Sequence, residues 1–122
     1  MRALIVDDSR AIRGIIGKML REIGFEIVEA GHGIEAIQRL KESGSVDVML
    51  VDWNMPEMNG YDFLCKVRAD PAYCGIPLMM VTSETEMAQM AKALEAGANE
   101  YVMKPFTKDV ISDKLSLLGV LP

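Results

Sequence analysis

The chain has 122 residues, of which 50% are hydrophobic and 25% charged, and its 18 acidic against 13 basic side chains give a net charge of −5. That length makes one ordinary domain, able to bury about two-thirds of the surface its unfolded form exposes. No apolar run approaches the ~20 residues that cross a bilayer, and the acid excess without a basic patch argues against a nucleic-acid partner. The N-terminus enters a strand pattern without the long apolar stretch of a signal peptide, so a cytoplasmic protein is expected. Cys65 in a helical pattern and Cys74 in a loop match neither a metal spacing nor a disulfide framework, and read as free thiols.

Residues 3–6 form a short apolar run ending in Asp7 and Asp8, and Ser9 follows as a natural N-cap. Ile12, Ile15, Ile16, Met19, Leu20 and Ile23 recur at intervals of three and four, the stripe of an amphipathic helix that Gly24 ends. Residues 25–29 offer a second strand and residues 31–33 a glycine turn in which His32 reads as a solvated loop residue. Ile34, Ala36, Ile37 and Leu40 mark a second helix closing near residues 43–45. Residues 48–51 are continuously apolar between turn signals, the mark of a strand buried on both faces, and they deliver Asp52 to a loop bounded by Pro56.

Phe63, Leu64 and Val67 support a third helix before Asp70-Pro71, and residues 78–81 a fourth strand ending at Thr82. Met87, Met90, Ala91 and Leu94 line one face of a fourth helix that stops at Gly97. Residues 101–103 make a brief fifth strand ending in Lys104-Pro105. Thr107 caps a last helix carrying Val110, Ile111, Leu115 and Leu118. Five strand–helix repeats with right-handed crossovers predict an α/β protein, an open, doubly wound parallel sheet with five helices.

Asp7, Asp8, Asp52, Thr82 and Lys104 each lie just past the C-terminal end of a strand, and in this topology those ends share one edge, where ligands of open α/β sheets bind. Taken alone, an aspartate at a strand end is as readily a cap or loop residue. Three converging carboxylates repel one another unless a cation neutralises them. Oxygen ligands without a His or Cys cluster suit Mg²⁺ rather than zinc. Thr82 offers a hydroxyl and Lys104 a compact positive charge, the groups phosphoryl transfer needs around its equatorial oxygens, which leaves Asp52 as candidate nucleophile.

Residues 6–9, 51–60, 80–83 and 102–106 together resemble the response-regulator receiver domain, most closely its chemotaxis type, over essentially the whole chain. The resemblance implies a flavodoxin-like sheet of order 2-1-3-4-5, a general example of that order being this chemotaxis type itself. It implies that Asp52 accepts a phosphoryl group from a sensor histidine kinase. Mg²⁺ would be held by Asp8, Asp52 and the Asn54 backbone carbonyl, with Asp7 acting mainly through a coordinated water. Lys104 would pair with a phosphoryl oxygen, and the Thr82 hydroxyl would move toward the phosphate as Tyr101 turns into the vacated space. That movement would alter the face of helix four, strand five and helix five, and so bind a protein partner such as the flagellar motor. Asn54 and Glu84, two positions after Asp52 and Thr82, would tune a short phosphoryl lifetime, and Lys104-Pro105 would be a cis peptide. Without the resemblance, Tyr101 is a half-buried aromatic on an edge strand, and Met87 and Met90 are core residues, with a partner-facing use as the other reading.

A single receiver over residues 1–122 is expected, monomeric and without an output domain, since the sequence ends at Pro122 just past helix five. The transfer is self-catalysed, so the protein is expected to be a switch and not an enzyme. A relay shuttle passing the group to another histidine fits equally. An aspartate-nucleophile phosphatase of the haloacid-dehalogenase type fits less well, because Asn54 stands where its general acid should be. A flavin mononucleotide protein is disfavoured by the charge of Asp7 and Asp8 at the phosphate position.

Overall fold

The computed structural model describes residues 1–121; Pro122, on which the expected end of the chain rests, lies outside the described residues. The elements run β1 (Arg2–Val6), α1 (Arg10–Ile23), β2 (Glu26–Ala30), α2 (Gly33–Ser43), β3 (Val48–Asp52), α3 (Gly60–Ala69) and β4 (Leu78–Thr82). A 3-10 segment (Glu84–Gln89), α4 (Met90–Glu95), β5 (Glu100–Met103) and α5 (Lys108–Leu117) complete them. The strands form one parallel sheet in the order β2-β1-β3-β4-β5, the flavodoxin-like order expected.

Continuous apolar composition puts β3 and β4 in the middle, where every residue of both is buried. Their pleat sends alternate side chains to opposite faces. Val6, Met49, Val51 and Met80 pack with Phe63 and Leu64 of α3 on one side. Ile5, Leu50, Met79 and Val81 pack with Leu20 of α1 and Ile111 of α5 on the other. The register places Asp52 opposite Val81 and Thr82 opposite Met103, so the polar strand ends come out level.

Local signals act at most helix ends. The Ser9 hydroxyl accepts from the Ile12 N–H, Asn59 and Thr107 cap α3 and α5 in the same way, and Gly24 turns the chain after α1 at φ 121°. His32 is a correction to the sequence reading. Instead of sitting free in a turn, it is the N-cap of α2, its Nδ1 accepting from the Glu35 N–H at 3.2 Å. The fourth helix also differs from expectation. It begins as the 3-10 segment, which buries no residue, and α4 then buries Met90 and Ala93 while Ala91 and Leu94 face solvent. A period of three before a period of 3.6 rotates the apolar face away from a purely α-helical stripe. Ile15, Ile34 and Val110, counted on apolar stripes, are likewise exposed. β2 starts one residue later than expected and β4 ends one later. Cys65 and Cys74 are free and exposed, and none of the described helices is long and apolar enough to cross a membrane.

One side chain of α3 ties together the connections that lead into β4 and β5. The Arg68 guanidinium donates to the carbonyls of Gly97, Ile76 and Cys74 at 2.9, 2.9 and 3.2 Å and to Asn99 Oδ1 at 2.8 Å, and that Oδ1 also accepts from the Leu78 N–H. Lysine is a point donor and cannot reproduce this fork. Arg68→Lys is expected to cost about 2 kcal/mol in urea unfolding, through carbonyls left without donors. A loss below about 0.5 kcal/mol would show the fork to be replaceable by water.

Candidate functional site

The C-terminal edge of the sheet gathers the charged groups. β1 delivers Asp7 and Asp8, β3 ends on Asp52, β4 on Thr82, and Lys104 follows β5. Carboxylate oxygens of Asp7, Asp8 and Asp52 all lie within 4.8 Å of one another. Asp7 and Asp52 are buried, whereas Asp8 stands open to solvent. Lys104 reaches across from β5 and donates to Asp7 Oδ2 at 3.3 Å and Asp52 Oδ1 at 3.4 Å. The Lys104-Pro105 peptide is cis.

The turn after β1 is held from two directions. Asp7 Oδ1 accepts from the Ser9 N–H at 2.8 Å, and Arg13 donates to the Asp7 carbonyl at 2.6 Å while its Nε binds Glu29. After β3, the Trp53 N–H donates to the Val81 carbonyl and the Gly60 N–H to the Trp53 carbonyl. Asp52 is thus clamped between a sheet bond and the start of α3, with one carboxylate oxygen on Lys104. Burial, followed by the Asp7 carboxylate, pushes its pKa from 3.8 up to about 6, Lys104 partly offsetting the rise. Burial works against the charge on Lys104 too, but Asp52 and Asp7 outweigh it and hold the ammonium above its ordinary value.

Thr82 is fully buried, and its hydroxyl donates within the β4 turn, to the Ser83 carbonyl at 3.2 Å and toward Glu86 at 3.5 Å, rather than to Asp52. Asn54 and Glu84 are exposed beside the edge, Glu84 opening the 3-10 segment. Tyr101 is half-buried against the α3-side core with Lys114 5.3 Å over its ring. The sequence reading missed Glu86, whose carboxylate joins Ser83 in a capping box. The signal was present as Ser83-x-x-Glu86. It also missed the contact of Tyr61 with Trp53 at 6.0 Å and with Lys92 at 4.3 Å, which links α3 to α4 and has no local signature.

Fold and site together define a flavodoxin-like α/β protein with a lysine-bridged acidic cleft at the carboxyl edge of its sheet. The chain belongs to the response regulator receiver domain family, whose model matches residues 3–116. It is 45% identical over 119 residues to the chemotaxis protein CheY1 of Helicobacter pylori, an alignment covering 97% of this chain and 96% of that one. Chemotaxis protein CheY4 of Vibrio cholerae superposes with a TM-score of 0.87 at 32% identity, covering 95% of this chain and 96% of that one. The receiver domain of a Pseudomonas aeruginosa sensor histidine kinase superposes with a TM-score of 0.85 at 27% identity over 95% and 94% of the two chains. In that structure a magnesium ion is coordinated in the active-site cleft.

Membership makes the protein a CheY-like response regulator, a phosphorylation-dependent signalling switch of two-component systems and not a conventional enzyme. Receiver domains typically bind Mg²⁺ at an acidic cluster. The residues present here fit that ion, since the three clustered donors are hard carboxylate oxygens, two of them buried, facing a single ammonium.

Proposed function

We propose that Asp52 accepts a phosphoryl group from a phosphohistidine of a sensor kinase and that this switches the protein's affinity for a partner. The buried, clamped carboxylate of Asp52, bridged by Lys104 and facing the other two carboxylates, is the observation that carries the reading. An Asp52 carboxylate oxygen forms a bond to phosphorus as the phosphorus–nitrogen bond to the donor imidazole breaks, and the electron pair returns to the ring. Lys104 sits within reach of the phosphoryl oxygens and neutralises one of them. Asp7, Asp8, Asp52 and the Asn54 carbonyl are the groups that would hold Mg²⁺. When bound, the ion neutralises the charge that develops on the transferring group.

The Thr82 hydroxyl then turns toward the phosphoryl oxygens and Tyr101 moves inward, reshaping the face of α4, β5 and α5. Met103 and Val110 are already exposed there, which supports a protein partner at that face. The similarity to chemotaxis proteins supports the flagellar motor as effector and the cytoplasm as the place of action. Trp53, next to Asp52, gives a direct test. With Mg²⁺ present, a small acyl-phosphate donor should change Trp53 fluorescence in the wild type and leave Asp52→Asn unchanged. A change of equal size in both proteins would remove Asp52 from the chemistry.

Asn54 and Glu84, exposed two positions after Asp52 and Thr82, match the chemotaxis type of receiver, so the phosphoryl group is expected to be short-lived. Replacing Asn54 and Glu84 together by bulkier apolar residues should slow its loss roughly ten-fold, a barrier change of about 1.4 kcal/mol. Loss kinetics followed after donor removal check this, and an unaltered rate in the double variant contradicts it.

A further inference from the structure

Thr82 has one hydroxyl proton and, before any phosphorylation, two acceptors for it. They are the Ser83 carbonyl at 3.2 Å and a Glu86 carboxylate oxygen at 3.5 Å. That same Glu86 oxygen accepts from the Ser83 N–H and the Ser83 hydroxyl, each at 3.0 Å, which holds the carboxylate beside Thr82. The 3-10 segment that carries it has no fully buried side chain, and the capping box together with the half-buried Met87 packed against the core fixes its entry relative to β4. Glu86 also places negative charge toward the cleft that Asp52 occupies.

We infer that Glu86 is a positioning residue: it holds the Thr82 hydroxyl in its resting direction, away from Asp52, until phosphoryl oxygens on Asp52 displace it as acceptor. This rests on the roles proposed above for Asp52 and Thr82. Glu86 and the phosphoryl oxygens arriving at Asp52 compete for one proton, so the hydroxyl's departure from its resting direction as charge develops on those oxygens adds its cost to the transfer barrier. Loss of the carboxylate leaves the hydroxyl only the Ser83 carbonyl, and it samples the Asp52 side more often.

The test is a cycle of wild type, Glu86→Ala, Thr82→Ala and the double variant. Phosphorylation rates are measured at saturating small acyl-phosphate donor with Mg²⁺, and the Thr82 side-chain rotamer is read by NMR couplings in the unphosphorylated proteins. Glu86→Ala should raise the rate about two-fold, the lower end for one hydrogen bond, as its 3.5 Å length implies, and the gain should vanish in the Thr82→Ala background. Its Thr82 couplings should shift toward a second rotamer, with Glu86→Gln, which keeps an acceptor oxygen, lying between. Equal gains in both backgrounds would mean that Glu86 acts only through its charge or as a helix cap, and would overturn the inference, as would an unmoved Thr82 rotamer. A wild type that takes up no phosphoryl group would overturn the proposed role of Asp52, and the NMR arm would still decide whether Glu86 restrains Thr82.

Discussion

Asp52→Asn is expected to make the metal-free protein more stable at pH 7.5 by about 2–3 kcal/mol while abolishing phosphoryl acceptance, the energy following from a tenfold change in a protonation equilibrium being about 1.4 kcal/mol. Asp52 sits among Asp7, Asp8 and Lys104 with its pKa raised from 3.8 to about 6, chiefly by burial. A carboxyl whose pKa rises on folding contributes its full stability below pH ~4, where it is protonated in both states, and loses it as pH rises through the folded value near 6. The variant keeps the shape without the charge, so its advantage should be present at pH 7.5, shrink as pH falls through about 6, and vanish below pH ~4. Adding Mg²⁺ should stabilise the wild type and narrow the gap. Urea unfolding in chelator at several pH values measures this; a variant equal to or weaker than wild type at pH 7.5 would mean that Lys104 fully compensates the cluster. The expected result would mean that Asp52 is a carboxylate the metal-free fold is more stable without, as befits a group kept for chemistry.

Gly60→Ala is expected to cost about 3 kcal/mol or more. A Cβ built on Gly60 collides with the Asp52 carbonyl and lies 2.9 Å from Trp53 Cα, both backbone atoms that cannot turn aside. The bond from the Gly60 N–H to the Trp53 carbonyl draws the start of α3 against the end of β3, and only a hydrogen fits between them. Relief requires moving the Asp52 segment or the first turn of α3, so loss of stability and loss of phosphoryl acceptance should appear together. Gly14→Ala is the control, since a Cβ there meets nothing within 4 Å and improves the helix. Thermal melts of both variants decide it, and a Gly60→Ala protein as stable as Gly14→Ala would show the β3–α3 junction to be loose.

How much of this was legible in the sequence depends on the range of the interaction. The unbroken apolar runs of β3 and β4 announced central parallel strands, and their polar ends announced the cleft, because a strand end and a sheet edge are both local signals. The face of the fourth helix was misjudged because the segment from Glu84 to Gln89 winds at three residues per turn, and no composition cue marks the change. Ile15, Ile34 and Leu94 carry the right periodicity yet lie at the rims of their stripes, where exposure is decided by the curvature of the packed layers. His32 as a cap needed its ring nitrogen to point at the Glu35 N–H, a rotamer choice invisible in the chain. The bonds from Arg68 to Gly97 and Asn99 and the Tyr61–Lys92 contact join residues far apart in the chain, and only the folded topology brings them together.

The role of Asp52 as phosphoryl acceptor is tested most directly by exposing the protein to a small acyl-phosphate donor with Mg²⁺, reducing any acyl phosphate with borohydride, and mapping the peptides by mass spectrometry. The expected result is conversion to homoserine at Asp52 alone, dependent on Mg²⁺ and abolished by chelation. Reduction at Asp7 or Asp8, or no reduction at any carboxylate while Mg²⁺ still binds, would contradict it.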